Sequence, residues 1–342
     1  MSQSIPLPGG RGSPLAGLPG GIGPSRSRRF DFGGPGVFTL AGKYAPHCQR
    51  HISTQQSIAN SVCAKAWFDL GASRVVLARE LSLDEIRRIR QETPRELELE
   101  TFGHGAMCVS YSGRCLLSNY MTGRDSNRGS CAQPCRYQYA LMEEKRPGEY
   151  FPVFEDETGT YILNSRDMCM IDHLPDLMEA GVDCIKLEGR AKSAYYASIV
   201  TGAYRHGIDA AVQGDPLDPV WRDEVEHISH RLYSTGFYYG FPGQYTENSR
   251  YIRQWQICAI VLDCRKDGMA TLSLRNKFAA GDHVELVGPD MRPFSFEAPV
   301  MQDENGACLT EPKTPQMRFS MQLPQPVPPY SILRRAVDLS AR

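Results

Sequence analysis

The chain has 342 residues, a formal charge of −1, 41% hydrophobic and 23% charged content, and 11 cysteines. Near-neutrality excludes a globally basic nucleic-acid binder, so any attraction for an anionic partner has to be local. No apolar run reaches the roughly 18–20 residues that span a bilayer, so no membrane partner is expected.

Residues 1–37 contain ten Gly and six Pro with Arg26, Arg28 and Arg29 among them. Such a segment buries too little apolar surface to offset its ordering entropy, and a disordered region is expected over 1–50. The opening thirty residues lack the apolar stretch of a secretory signal. A reducing, cytoplasmic setting is therefore expected, where clustered thiols bind metal or do redox chemistry more often than they form disulfides.

From His51 the pattern becomes alternating strands and helices. Ser57 to Leu70 has helical apolar spacing and stops at Gly71. SRVVLAR (73–79) is a β-branched strand. Leu81 to Thr93 opens with Ser82 as N-cap and Glu85 three residues on, a capping box. ELELETF (96–102) alternates as a strand. Past the cysteine region, Ile171 to Ala180 reads as a helix, VDCIKLEGR (182–190) as a strand, and Ala194 to Val212 as a long amphipathic helix.

Successive β-α units of this length predict a parallel sheet covered by helices. About four units are visible, against about 250 residues for a closed eightfold barrel. Beyond Tyr245, short strands separated by KDG, AAGD and GPDMRP turns predict a small antiparallel β-barrel, with Gly281-Asp282 making one turn. The expected fold is therefore α/β: a partial TIM-like (β/α) barrel over 51–244 and a β-rich domain over 245–342. Half a barrel leaves two strand edges, which a homo-oligomer or another partner would cover.

Cys108, Cys115, Cys131 and Cys135 are separated by six, fifteen and three residues. Four thiolates form a closed tetrahedral shell that suits zinc or an iron–sulfur cluster. Structural zinc prefers two tight pairs, and only Cys131–Cys135 is one. Surrounding glycines let backbone N–H groups approach sulfur, as around clusters. Spacing leaves cluster, zinc and no metal open, and Cys169 is a substitute ligand or a packed thiol.

Between Cys108 and Arg146 six basic residues, among them Arg114, Arg124, Arg128 and Arg136, face three acidic ones, with Tyr111, Tyr120, Tyr137 and Tyr139 interleaved. That mixture suits single-stranded RNA or a small dianion, or else forms a solvated loop over packed tyrosines. KLEGR (186–190) ends a strand, where β/α folds place their sites, so Lys186, Arg190 and Lys192 are candidates for an anionic substrate, with Glu188 orienting one of them. His104, at another strand end, is a candidate proton donor or a structural histidine.

Glu100 to Ser118 (ETFGHGAMCVSYSGRCLLS), NRGSCAQPCR, RPGEYFPVFEDETGTYILNSRDM and IKLEGRAKSAYY resemble the collagenase-like U-type peptidase family, over about His51 to Val300. The resemblance implies a TIM-like barrel followed by a small β-barrel, and a four-cysteine [4Fe–4S] cluster on Cys108, Cys115, Cys131 and Cys135. It implies oxygen-independent hydroxylation of the wobble uridine of tRNA at C5, with prephenate or a similar small anion as co-substrate. Glu100, His104 and Arg136 are then the catalytic candidates, with Arg128, Lys186, Glu188, Arg190 and Lys192 binding substrate. Relatives in this family carry roughly four more β-α units ahead of this point, so the barrel is expected to lack its N-terminal half. The family name suggests a peptidase instead, but the chain has neither HExxH nor GxSxG, and Cys108 with His104 is a loose pairing. A non-catalytic, cluster-bearing fragment is the third alternative.

Overall fold

In a computed structural model of the chain, residues 29–337 are described apart from 108–112, 114, 125, 127–129, 138, 143, 146, 149–150, 153–165, 190–191, 243–250 and 290; of Arg136 only the backbone is described. The chain forms two compact units, Met1–Glu188 with Leu232–Arg250, and Gly189–Arg231 with Tyr251–Arg342.

The first unit is built on strand alternation. β1 (Arg29–Phe32), β2 (Gln49–Ile52), β3 (Arg74–Val76) and β4 (Glu98–Ala106) pair in parallel in chain order. A fifth parallel strand, β8 (Cys184–Leu187), lies along the other side of β4. α1 (Pro35–Tyr44), α2 (Ser61–Asp69) and α3 (Leu83–Glu92) link successive strands, and α5 (Leu174–Glu179) precedes β8. Alternate strand residues Ile52, Val75 and Leu99 face this helical layer and share one buried core with Phe38, Trp67 and Ile86. β7 (Asp167–Cys169) pairs antiparallel with the end of β4, and β9 (Tyr233–Ser234) extends the sheet beyond β7. β5 (Ala140–Leu141) and β6 (Phe151–Pro152) form a separate two-residue ladder. α4 (Leu117–Thr122) lies in the cysteine segment.

Two sequence expectations are corrected here. The span expected to be disordered contains β1, α1 and β2. Its glycines and proline are positional: Gly34 is the N-cap of α1 and Pro35 its first residue, where a missing N–H costs nothing. α2 starts at Ser61 rather than Ser57, because the Asn60 side chain accepts the Cys63 N–H and Ser57 sits at φ 50° in the left-handed region. The capping box at Ser82 and Glu85 is present, and such caps contribute about 1 kcal/mol.

The second unit contains α6 (Ala194–Gln213), α7 (Pro219–Glu224) and an antiparallel eight-stranded sheet. Its strands are β10 (Trp255–Cys264), β11 (Met269–Leu274), β12 (His283–Gly288), β13 (Met291–Glu297), β14 (Met301–Gln302), β15 (Cys308–Leu309), β16 (Arg318–Gln322) and β17 (Ile332–Ala336). They run in the order β13-β12-β17-β10-β11-β16-β14-β15. Gly281, at φ 88°, and Asp282 make the expected turn, and the Asp282 carboxylate accepts the Ala279 N–H. The sequence pattern assigned α6 to the layer over the parallel sheet; it belongs to this second unit instead. Among the described residues, no helix is long and apolar enough to cross a membrane.

Candidate active site

The face of the parallel sheet opposite the helices is ionic. Alternation that sends Ile52, Val75 and Leu99 to the core sends Asp31, His51, Arg74, Glu98, Glu100, Cys184 and Lys186 the other way. Lys186 Nζ lies 3.3 Å from Asp31 Oδ2 and 3.4 Å from Glu100 Oε1. Arg74 lies 2.9 Å from Glu100 Oε2 and 2.6 Å from Glu98, and donates to Cys184 Sγ at 3.2 Å. His51 Nδ1 is 3.5 Å from Asp31 Oδ1.

These contacts also report the sheet's shape. β1 and β8 are the first and fifth parallel strands, about 19 Å apart in a flat sheet at four spacings of about 4.8 Å. Lys186 reaching Asp31 therefore requires a strongly curled sheet with this ionic face on its concave side.

Burial sets the electrostatics of the face. Burial alone would raise the Asp31 carboxyl, but the His51 hydrogen bond and the Lys186 charge outweigh it and hold the group below its ordinary value. Burial pushes the Cys184 thiol up to about 12, so it stays a thiol beside Arg74. The Arg79 guanidinium stacks 3.9 Å from the Phe102 ring centroid.

The candidates read from the sequence separate into groups. Glu100 and Lys186 meet, as neighbours in one ion-pair chain. His104 is buried, opposite Cys169 in the β4–β7 ladder, with its ring 5.4 Å from that of Tyr233. Glu188 donates its N–H to the His104 carbonyl at 2.9 Å. Lys192 lies in the second unit, donating to the Ser229 carbonyl and lying over the rings of Tyr196 and Tyr251. Cys108, Arg128 and Arg190 lie outside the described residues, and Arg136 sits in a 3-10 turn, Pro134–Arg136. Cys169 is buried in β7.

Cys115, Cys131 and Cys135 are of intermediate exposure. Hydrogen bonds tie their segments together: Ser126 Oγ donates to the Cys115 carbonyl, Ser118 Oγ accepts the Ala132 N–H at 2.9 Å, and the Gln133 N–H donates to Cys131 Sγ at 3.2 Å. Gly113, at φ 74°, lies against the Gln55 backbone, where any Cβ would collide with the Gln55 carbonyl. Gln55 belongs to the loop following β2, and neighbouring Gln56 donates to the Gly33 carbonyl after β1. At Gly113 the cysteine segment thus lies against the carboxyl ends of the first two parallel strands.

Sequence reasoning missed Asp31, His51 and Arg74. The alternation in RFDF and QRHI was the available signal, hidden by the glycines and proline next to it.

Gly105 has a testable structural role. At φ 116°, its missing Cβ would stand 2.8 Å from the Glu188 Cβ and closer to the Glu188 carbonyl. Gly105→Ala is expected to lower stability by about 2 kcal/mol or more, read as a lower urea midpoint. Gly123→Ala, equally left-handed at φ 68° but with nothing near the added methyl, should lose only about 1 kcal/mol.

A curled α/β unit with a polar concave face and a thiol-rich segment at its strand ends, joined in sequence to a β-rich unit, defines the class. The model described as Peptidase family U32 matches residues 30–248, and Peptidase family U32 C-terminal domain matches 253–334. The chain belongs to peptidase family U32. It is 34% identical over 339 residues to tRNA hydroxylation protein P of Escherichia coli (strain K12), covering 85% of this chain and 73% of that protein. It is 35% identical over 310 residues to tRNA hydroxylation protein P1 of Bacillus subtilis (strain 168), covering 88% and 72%. A third relative, 23S rRNA 5-hydroxycytidine C2501 synthase of Escherichia coli (strain K12), is 40% identical over 169 residues, covering 49% of this chain and 24% of that protein.

Proposed function

We propose that the chain is an RNA-modifying hydroxylase that acts on the wobble uridine of tRNA at C5, with a [4Fe–4S] cluster and prephenate or a similar small anion as co-substrate. One observation carries the reading: Gly113 sets the thiol-bearing segment against the Gln55 backbone, at the carboxyl end of β2, where β/α folds build their sites. The names of the three relatives given above, two for tRNA hydroxylation and one for hydroxycytidine synthesis, support the same class.

The described thiols fit an iron–sulfur centre. They are soft donors of intermediate exposure, and a backbone N–H already points at Cys131 Sγ. Cys108, Cys115, Cys131 and Cys135 would hold the cluster, which supplies redox or Lewis-acid chemistry when bound. Around it, the exposed rings of Tyr120 and Tyr137 offer stacking surfaces for unpaired bases, and Arg124 adds positive charge. Glu100 and Lys186 polarise the concave face. We read the curled parallel sheet as part of a TIM-like barrel and the second unit's sheet as a small β-barrel. A second copy or another partner would cover the open strand edge, and the cytoplasm is where such a protein meets tRNA.

Anaerobic purification tests the reading. The full chain is expected to carry iron and sulfide with a broad absorption band near roughly 400 nm, as thiolate-held clusters do. Cys131→Ser is expected to lose most of the iron. Nucleoside analysis of tRNA from a deletion strain should show 5-hydroxyuridine derivatives missing, and restored by the wild-type gene alone. Iron-free protein together with unchanged nucleosides would overturn the proposal.

A further inference from the structure

We infer that His51 is the proton-transfer group of the concave face, held by Asp31, and that the ligand meeting its Nε2 is a neutral RNA base. The inference rests on the RNA-hydroxylase reading and assigns a residue within it.

The observations are geometric. His51 is 3% exposed, and its Nδ1 faces Asp31 at 3.5 Å. Its Nε2 has no hydrogen-bond partner among the described residues. Leaving a buried polar nitrogen unsatisfied costs about 1–3 kcal/mol, and buried polar groups are nearly always paired. An imidazole with one nitrogen held by a carboxylate and the other buried without a partner is the arrangement of a general base awaiting its ligand: the carboxylate sets the tautomer and balances the imidazolium.

Charge on the face selects the ligand class. Lys186 is engaged by Asp31 and Glu100, and Arg74 by Glu98 and Glu100. Both cations are therefore matched by carboxylates, and the unpartnered group among these side chains is the buried His51 Nε2. A phosphate or carboxylate would meet Asp31, Glu98 and Glu100 at close range, whereas a neutral heterocycle brings an N–H or C–H edge without charge. Groups bearing on His51 are Asp31 from β1, Arg74 opposite it in the β2–β3 ladder, and Lys186 and Glu100, both acting through Asp31. The neighbouring Arg50 is turned to the Phe38 ring on the other face.

The step is a proton transfer alone. A bond from a base atom to hydrogen breaks, its electron pair stays on the base, and an Nε2–H bond forms while Asp31 holds Nδ1–H.

Two substitutions dissect the ring: His51→Asn keeps an amide near Nδ1, and His51→Gln keeps one near Nε2, and neither can carry the proton. In a deletion strain, both variants are expected to form hydroxylated nucleoside at least about 100-fold more slowly than wild type, the usual scale for a lost general base. Their thermal midpoints should stay within a few degrees, and tRNA affinity within about twofold, since general-base loss acts on kcat rather than binding. Asp31→Asn is expected to slow the reaction with affinity likewise kept. Wild-type rates in either His51 variant would overturn the proposal.

A second arm is independent of turnover. With 15N-histidine-labelled full chain, the Nε2 resonance that His51→Gln removes should move when an anticodon stem-loop RNA is added. Free inorganic phosphate should leave it in place. An Nε2 signal unmoved by RNA would overturn the inference. A moved signal in a chain that hydroxylates nothing would overturn the hydroxylase reading and leave the ligand contact standing.

Discussion

Lys186→Met is expected to destabilise the first unit by about 3–5 kcal/mol at neutral pH, the usual penalty for removing one partner of a buried pair. The side chain of Lys186 is 10% exposed, and it separates Asp31 from Glu100 on the concave face. Methionine fills similar volume, so the loss reports charge rather than a cavity. Two carboxylates would then face each other in a poorly solvated site, with only Arg74 and His51 left to compensate.

The pH dependence has a defined sign. In the wild type the Asp31 carboxyl is held below its ordinary value of 3.8, so it contributes stability above that pH, lost as pH falls through the lower folded value. Without Lys186 the carboxyl moves up, and protonation relieves the unmatched charge. The gap between variant and wild type should be widest near neutrality and narrow on acidification. Urea midpoints from pH 7 down to pH 4 measure it. Asp31→Asn added to Lys186→Met should recover part of the loss at pH 7, and a double-mutant cycle isolates the pair. A gap that did not change with pH would mean the loss arises from packing.

Most local structure was legible in the sequence, because local rules decided it. Ser82 and Glu85 announce α3, and the periodicity of residues 194–212 announces α6. Gly281-Asp282 falls at its turn. Legibility failed where a residue type carries two meanings. Gly34-Pro35 reads as spacer in a tract rich in both, yet here it starts a helix, and with α1 went the strands on either side that hold Asp31 and His51. The site failed for a different reason: Asp31 and Lys186 are 155 positions apart, and only the curl of the sheet brings them together. The cysteine spacing was legible as a metal-binding pattern; its attachment to the strand ends through Gly113 and Gln55 was not, since neither residue signals a long-range contact. Lys192 follows the KLEGR strand by two residues but folds with the second unit, because Tyr196 and Tyr251 offer its ammonium two ring faces there.

The second unit holds the other large effect. Arg334 on β17 is fully buried and stands opposite Glu285 of β12 in the ladder. Its guanidinium donates to Glu285 at 2.9 Å, to Glu224 at 2.8 Å and to the Tyr195 hydroxyl at 3.2 Å, and lies 5.0 Å from the centroid of the Trp255 ring. Burial alone would raise the Glu224 carboxyl, but His227 and Arg334 outweigh it and hold it below the ordinary 4.5. Arg334→Leu is therefore expected to cost about 3–5 kcal/mol at pH 7, since two carboxylates lose their cation in a dry site. The penalty should shrink on acidification as the Glu224 carboxylate takes up a proton. Trp255 fluorescence follows the transition beside the substituted position. Oxygen and nitrogen atoms of Glu224, His227 and Glu285 lie within 4.8 Å of one another, a donor set that the guanidinium occupies in the wild type. Once Arg334 is leucine, a divalent cation can take over the charge it carried, because two carboxylates and an imidazole suit zinc. Micromolar zinc should then raise the thermal midpoint of Arg334→Leu and leave that of the wild type unchanged. A variant as stable as wild type without metal would mean that packing, rather than the buried arginine, holds β12, β17 and α7 together.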